Sequence, residues 1–259
     1  MRKLIFFLVI SCISINTFAQ NKKKQRQQVK REHINTLIRQ EEEGVITYNK
    51  SFVFGAKLIS DGYGIFFEWG KAKSVKKSML YQFEISERKH IKEEKSNSYY
   101  SNSVPYIYGK ENFFYPVKLG LQQQILLGNK SNKNGVSVTG NYGGGVVAGL
   151  LRPYYVQVQQ GNGVAYVKYN SADSADFLNG RIFGGPTFGK GWSDMTVVPG
   201  AYAKAAVRFD YGSYNEVVSA VEVGVSGEFY SKKIPLLVQN KQKQFFLSGY
   251  VSILFGKRK

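Results

Sequence analysis

The feature that most constrains the fold is a strict alternation of side-chain character along segments of about ten residues. In "VSAVEVGVSGEFYS" (218–231) and the residue before it, one set of alternate positions holds Val217, Val221, Val223, Val225 and Phe229. The other set holds Ala220, Glu222, Gly224, Ser226 and Glu228. A period of two is typical of a β-strand, because successive side chains point to opposite faces. The charged face must therefore point either to bulk water or into a closed interior.

The same alternation recurs in about eight segments: residues 51–60, 62–70, 79–88, 113–126, 135–158, 196–211, 217–230 and 244–256. Most are close to the 9–11 residues that cross an outer membrane at a tilt. The fifth is overlong, and Arg152-Pro153 is a point where it could break, since proline cannot donate to a strand ladder. Aromatic residues often begin or end the apolar face, as at a lipid-facing rim: Trp69, Tyr115, Tyr211, Phe229 and Phe255. The sequence predicts an all-β, antiparallel, up-and-down transmembrane β-barrel of about eight strands.

The face opposite the apolar one combines small residues with charges. A narrow lumen limits side-chain size, whereas bulk water does not. Five basic and five acidic residues lie on this face: Lys57, Arg88, Lys118, Lys204, Arg208, Glu68, Glu84, Asp210, Glu222 and Glu228. Because buried charge is tolerable only when it is paired, this balance predicts an ion network in the lumen, in which Glu222 and Glu228 meet basic partners such as Lys204 and Arg208. The alternative is a soluble lipocalin-like barrel with these charges in solvent.

The segment before the first strand has a different character. Residues 1–19 read as a signal peptide, with Arg2 and Lys3, an apolar stretch and small residues up to Ala19. A lipoprotein cleavage site at Cys12 is the alternative. Cleavage after Ala19 would remove the only cysteine and exclude disulfides and cysteine chemistry. Residues 20–47 are predicted to form a basic periplasmic arm, helical or disordered, and residues 48–259 the barrel.

Loop lengths and charge differ between the two ends of the predicted barrel. With both termini in the periplasm, the long connections (89–112, 159–195 and 231–243) lie outside and the short turns inside. A basic periplasmic rim is expected from Lys71, Lys73, Lys76, Lys77, Lys130, Lys133, Lys257, Arg258 and Lys259. This rim could dock an acidic periplasmic protein, or it could simply solvate the turns. Nucleic acid is the usual partner of a chain with net charge +18, but a secreted chain rarely meets it, so we expect none.

The sequence offers little material for catalysis. His33 and His90 are the only histidines, and His90 near Glu93, Glu94 and Ser96 gives a weak enzyme alternative. We therefore expect a non-enzymatic protein without cofactor or metal. The connection 159–195 is rich in aromatic residues, Asn and Asp, which suits a glycan or a protein partner or packing over the barrel mouth.

Five segments resemble the small, porin-like outer-membrane β-barrels of Bacteroidota: "YGKENFFYPVKLGLQQQILL" (108–127), "LLRPYYVQV" (150–158), "PGAYAKAAVRFDYGSYN" (199–215), "SKKIPLL" (231–237) and "FFLSGYVSILFGKRK" (245–259). Many outer-membrane strands end the chain on an aromatic residue, whereas here four residues follow Phe255. The resemblance implies an outer-membrane location and a structural or interaction role in the envelope, with some similar barrels being accessories of export complexes. The competing expectation is a small-solute channel with a charged lumen.

Overall fold

A computed structural model describes residues 28, 29, 31, 32, 35, 49–74, 76–97, 104–130, 135–161, 163–170, 177, 178, 180–212 and 216–259. The predicted signal peptide and most of the predicted arm lie outside these residues. Among the helical residues that are described, none belongs to a helix long and apolar enough to cross a membrane.

Thirteen strands are numbered along the described chain: β1 (Lys50–Ile59), β2 (Gly62–Ser74), β3 (Lys77–Arg88), β4 (Lys95–Ser96), β5 (Tyr106–Ile107), β6 (Asn112–Gly128), β7 (Ser137–Pro153), β8 (Tyr155–Gln160), β9 (Gly163–Lys168), β10 (Ile182–Gly184), β11 (Thr196–Asp210), β12 (Val217–Ile234) and β13 (Lys243–Arg258).

Eight of these strands close into a barrel in the order β1-β13-β12-β11-β7-β6-β3-β2. Every neighbouring pair is antiparallel, and each barrel strand pairs with the next barrel strand along the chain. The first and last strands pair over nine positions, from Ser51 opposite Arg258 to Ile59 opposite Tyr250. Closure leaves the barrel without an edge strand. The predicted eight-stranded, antiparallel, up-and-down barrel is confirmed.

The two ends of the barrel differ in their connections. At the end that carries the start of β1 and the end of β13, called the terminal end, the turns after β2, β6 and β11 are short. At the opposite end, called the loop end, β4 and β5 form a two-stranded sheet, and β8, β9 and β10 form a three-stranded sheet. The predicted fifth segment (135–158) forms two strands: barrel strand β7 ends at Pro153, and β8 of the three-stranded sheet begins at Tyr155.

The outer wall of the barrel is apolar and exposed. Trp69 and Phe52 remain 59% and 58% exposed, and large hydrophobic side chains occupy outward positions on all eight barrel strands. The inner face is crowded instead. A Cβ atom added to Gly55 would lie 2.5 Å from the Phe66 ring, and one added to Gly224 would lie 2.9 Å from the Tyr250 ring. The small inward residues are therefore required by a narrow lumen.

Apolar clusters occupy the interior toward both ends of the barrel. Toward the loop end, the rings of Phe114, Tyr230 and Phe246 contact one another, with centroids 5.3–5.8 Å apart. Ile234 and Leu236 belong to the same cluster and extend it into the β12–β13 connection. Toward the terminal end, a second cluster contains Val53, Phe66, Val218, Ala220 and Leu254. The interior charges lie largely between these two clusters.

Candidate functional site

The ten charges predicted to face the lumen all point into the barrel, and none is more than 5% exposed. The alternation within each strand places them there, because their neighbours on either side point outward. Nine of the ten form two groups of ion pairs in the interior. The tenth, Asp210, lies at the terminal end with other partners.

The first group centres on Glu222 of β12. Its carboxylate accepts hydrogen bonds from Arg208 Nη2 at 2.6 Å, Arg208 Nε at 2.9 Å and Lys204 Nζ at 3.3 Å. Neutral donors complete the shell, with Tyr250 Oη at 2.8 Å and Asn141 Nδ2 at 2.8 Å. Arg208 also donates to Glu68 on β2 at 2.7 Å. Two carboxylates and two bases thus neutralise one another across the lumen.

The second group runs from Asp61 to Lys57. Arg88 donates to Asp61 at 2.7 Å and to Glu228 at 2.5 Å. Lys118 lies 2.6 Å from Glu228 and 2.7 Å from Glu84, which also accepts a hydrogen bond from Lys57. The ammonium group of Lys57 lies 4.2 Å from the Tyr250 ring centroid, so Tyr250 connects the two groups.

Asp210 lies apart from these groups and changes the expected composition of the basic rim. Arg258 turns inward and pairs with Asp210. Lys130 is 6% exposed, lies 3.9 Å from Asp210 and donates to the Gly212 carbonyl. Arg258 is inward because the alternation of β13 puts it on the face of Leu254. These two bases therefore lie inside the terminal end, beside Asp210, and do not belong to the exposed rim.

The remaining described members of the rim are exposed at the terminal end: Lys71, Lys73, Lys76, Lys77, Lys257 and Lys259. Lys133 lies outside the described residues. On the basis of strand alternation, Lys71 shares the outward face with Trp69, and Lys257 shares it with Phe255. The exposed rim therefore borders the apolar wall.

At the loop end, Arg152 of β7 joins the β10–β11 connection (185–195) to the barrel. Its guanidinium carbon lies 4.1 Å from the Phe113 ring centroid and 4.7 Å from that of Trp192, and Nη1 donates to the Phe188 carbonyl at 3.1 Å. Trp192 stacks on Tyr115 with centroids 5.9 Å apart. Tyr154, Val156, Val158, Phe177 and Ile182 form the buried cluster of the β8–β10 sheet.

The region of His90 is organised by ion pairing. Lys110 is buried and pairs with Glu93, and burial lowers the pKa of Lys110 although Glu93 opposes this effect. The His90 backbone nitrogen donates to Glu93 at 2.9 Å, and partial burial lowers the pKa of the His90 side chain, with Lys243 adding to the shift. Within the described residues, no three His, Cys, Asp or Glu side chains are grouped closely enough to hold a metal ion.

Several participants in the ion network were missed from the sequence. Tyr230, Tyr250 and Asn141 supply neutral hydrogen bonds, and Asp61 supplies a carboxylate from the turn after β1. Strand parity placed the first three on the inner face, so the alternation could have identified them. Asp61 carries no such signal, because a turn residue has no alternation.

No protein-family model matches the sequence, and no curated protein is significantly similar to it. Among solved structures, the N-terminal β-barrel domain of Pseudomonas aeruginosa OprF has 8% identity and a TM-score of 0.35, over 81% of this chain and 98% of that chain. Neisserial surface protein A has 12% identity and a TM-score of 0.34, over 81% of this chain and 95% of that chain. Ail, the attachment invasion locus protein of Yersinia pestis, has 9% identity and a TM-score of 0.37, over 82% of this chain and 100% of that chain. These values establish neither a common family nor a common activity.

Proposed function

We propose that this chain is an outer-membrane β-barrel with a closed lumen, acting as a non-enzymatic structural or interaction component of the cell envelope. One observation carries the proposal: the wall is apolar outside, and the interior is filled by paired charges. A soluble barrel would reverse this arrangement, because its apolar side chains would face inward. Lipid is the solvent that suits exposed Phe, Leu and Val on every barrel strand.

The filled interior favours a scaffold over a channel. Eight strands leave room only for the barrel's own side chains, and ion pairs and aromatic rings occupy that room. The cluster of Phe114, Tyr230 and Phe246 occupies the interior toward the loop end, while Asp210, Arg258 and Lys130 lie at the other end. A hydrated path for solutes would require these groups to move.

Membrane fractionation and single-channel recording test the proposal. We expect the protein to resist alkaline extraction from outer membranes and to give no steady conductance in a planar bilayer. Steady conductance whose ion selectivity changes in Glu222→Gln would favour the channel function. Correct folding in buffer without detergent would favour the soluble lipocalin-like barrel. Both outcomes contradict the closed membrane scaffold.

An accessory role in an export complex is the finer form of this proposal. Only the sequence resemblance to Bacteroidota barrels supports it, and that family assignment stays a prediction. Purification from native membranes in mild detergent, followed by mass spectrometry, tests it. Recovery of the barrel in stoichiometric association with export components would support the role, and recovery of the barrel alone would contradict it.

The loop end also carries an exposed aromatic surface, which we propose contacts a glycan or a protein outside the cell. Phe188 is 85% exposed and lies against Trp192, with ring centroids 5.9 Å apart. The ammonium group of Lys190 lies 5.2 Å from the Tyr166 ring centroid. Exposed aromatic rings beside a cation suit stacking on sugars or on partner side chains. Binding to a glycan or surface-protein array should be lost in Phe188→Ala and kept in Ile91→Ala, a control at an exposed residue of the β3–β4 connection.

A further inference from the structure

Three lysines stand side by side on the outer face at the terminal end. Lys50 begins β1 and lies directly opposite Lys71 of β2. On its other side, the backbone nitrogen and oxygen of Lys50 bond to the oxygen and nitrogen of Lys259, each at 2.8 Å. In an antiparallel pair that exchanges both backbone hydrogen bonds, as Lys50 and Lys259 do, the two Cα atoms are about 5.5 Å apart. We call Lys71, Lys50 and Lys259 the lysine row.

The lysine row has an unbalanced charge. Among the residues that the structure describes, no ion pair joins any of the three lysines to a carboxylate. Like charges directly opposite on neighbouring strands are destabilising. Arg258, one residue earlier than Lys259, points inward and has Asp210 as its partner. The interior bases are thus neutralised, whereas no described Asp or Glu side chain pairs with the lysine row.

An apolar groove borders the lysine row on the outer wall. Phe52 lies opposite Trp69 on β2 and opposite Lys257 on β13, which adds a fourth ammonium group at the edge of the groove. The groove has a volume of about 570 Å³, and its apolar lining includes Phe54, Val217 and Phe255. Cationic and apolar groups are therefore adjacent along the strand direction.

We propose that the lysine row and this groove bind an anionic glycerophospholipid. The phosphate lies among Lys50, Lys71 and Lys259, with Lys257 beside it, and an acyl chain packs against Phe52 and Phe255. Lysines at a membrane rim extend their ammonium groups to the headgroups while their stems cover apolar surface. An acidic protein would satisfy the charges but would leave the groove unfilled. This inference rests on the proposed membrane location and adds a ligand class to it.

Lipid retention by the purified barrel tests the inference. The full chain in dodecyl maltoside is titrated with dioleoyl phosphatidylglycerol or dioleoyl phosphatidylcholine, and bound lipid is counted by native mass spectrometry. The test variant is Lys50→Gln/Lys259→Gln. The control is Lys232→Gln/Lys233→Gln, which removes two exposed charges at the loop end of β12. Heat-dependent gel migration checks that each variant is folded.

We expect the wild-type chain and the control to prefer phosphatidylglycerol. A lysine near an anionic lipid surface contributes roughly a five-fold gain in affinity, so the test variant, which lacks two lysines, should bind phosphatidylglycerol about 25-fold more weakly. Its phosphatidylcholine binding should be unchanged. Equal retention of the two lipids, or an unchanged test variant, would overturn the inference. Displacement of phosphatidylglycerol by a polyglutamate peptide at equal concentration would overturn it in favour of an acidic protein partner.

The two proposals fail in different ways. A barrel that inserts into vesicles and stays closed but shows no lipid preference contradicts the lipid site alone. A chain that folds in buffer and does not insert contradicts the membrane scaffold and the lipid site together.

Discussion

Arg208 and Glu222 lie directly opposite each other on β11 and β12, and the guanidinium donates from both Nε and Nη2 to the same carboxylate oxygen. Both side chains are buried inside the barrel. Removing one member of a buried ion pair costs more than the pair contributes, because the other charge remains desolvated and unmatched. This sequence therefore needs the complete ion network in order to fold, although the network itself need not add net stability.

Replacing Glu222 with Gln should destabilise the barrel strongly. The change keeps the side-chain shape but leaves Lys204 and Arg208 with Glu68 as the nearest carboxylate. We expect the free energy of unfolding to fall by about 3–5 kcal/mol. Urea unfolding in detergent measures it, with Glu94→Gln in the exposed β3–β4 connection as control. A loss below about 1 kcal/mol, the range of exposed pairs, would contradict a buried network.

Replacing Phe114 with Ala should open a cavity toward the loop end. Phe114 is fully buried and contacts the rings of Tyr230 and Phe246. Large-to-small changes at such sites cost about 3–5 kcal/mol, through lost burial and the cavity left behind. Phe229→Ala is the matched control, since Phe229 lies outward on β12 and is 55% exposed. Equal losses in the two variants would show that the interior cluster is not tightly packed.

The sequence predicted the faces of the strands better than the contacts between them. Period two assigns Glu228 and Arg88 to the interior, but 140 residues separate them, and their contact depends on how the closed barrel staggers its strands. The sequence also left β9, β10 and the end of β8 in the connection 159–195. These strands are short, and turn or connection residues interrupt their pattern. At the terminal end, Arg258 reads as a rim residue although the alternation of β13 places it inward, and Lys130 lies beyond the end of β6, where alternation gives no signal.

Replacing Arg152 with Met should loosen the β10–β11 connection (185–195) and leave the barrel intact. The guanidinium stacks between Phe113 and Trp192, and cation–π contacts of this kind are worth about 0.5–2 kcal/mol each. We expect a red shift of Trp192 fluorescence and faster tryptic cleavage after Lys190, which lies between the two contacted residues Phe188 and Trp192. The fluorescence is best recorded in a Trp69→Phe background, which removes the second tryptophan. Lys95→Met is the control. Equal proteolysis rates in the Arg152→Met and Lys95→Met variants would contradict a stabilising role of the Arg152 contacts.

Tyr154 lies just before β8 and bonds to β5, so it should make the contact between the two loop-end sheets sensitive to alkaline pH. Burial raises the pKa of its phenol to about 12, while the phenol oxygen accepts a hydrogen bond from the Ile107 backbone nitrogen at 2.9 Å. In the unfolded chain the pKa is about 10, so the unfolded state loses its proton first as the pH rises. The contribution to stability, roughly 2–3 kcal/mol, is fully present below pH 10 and is lost as the pH approaches 12. Urea unfolding in detergent at pH 9 and at pH 11.5 should show this loss of stability in the wild-type chain and in Tyr108→Phe, but not in Tyr154→Phe. A loss of the same size in Tyr154→Phe would assign the alkaline sensitivity to another group.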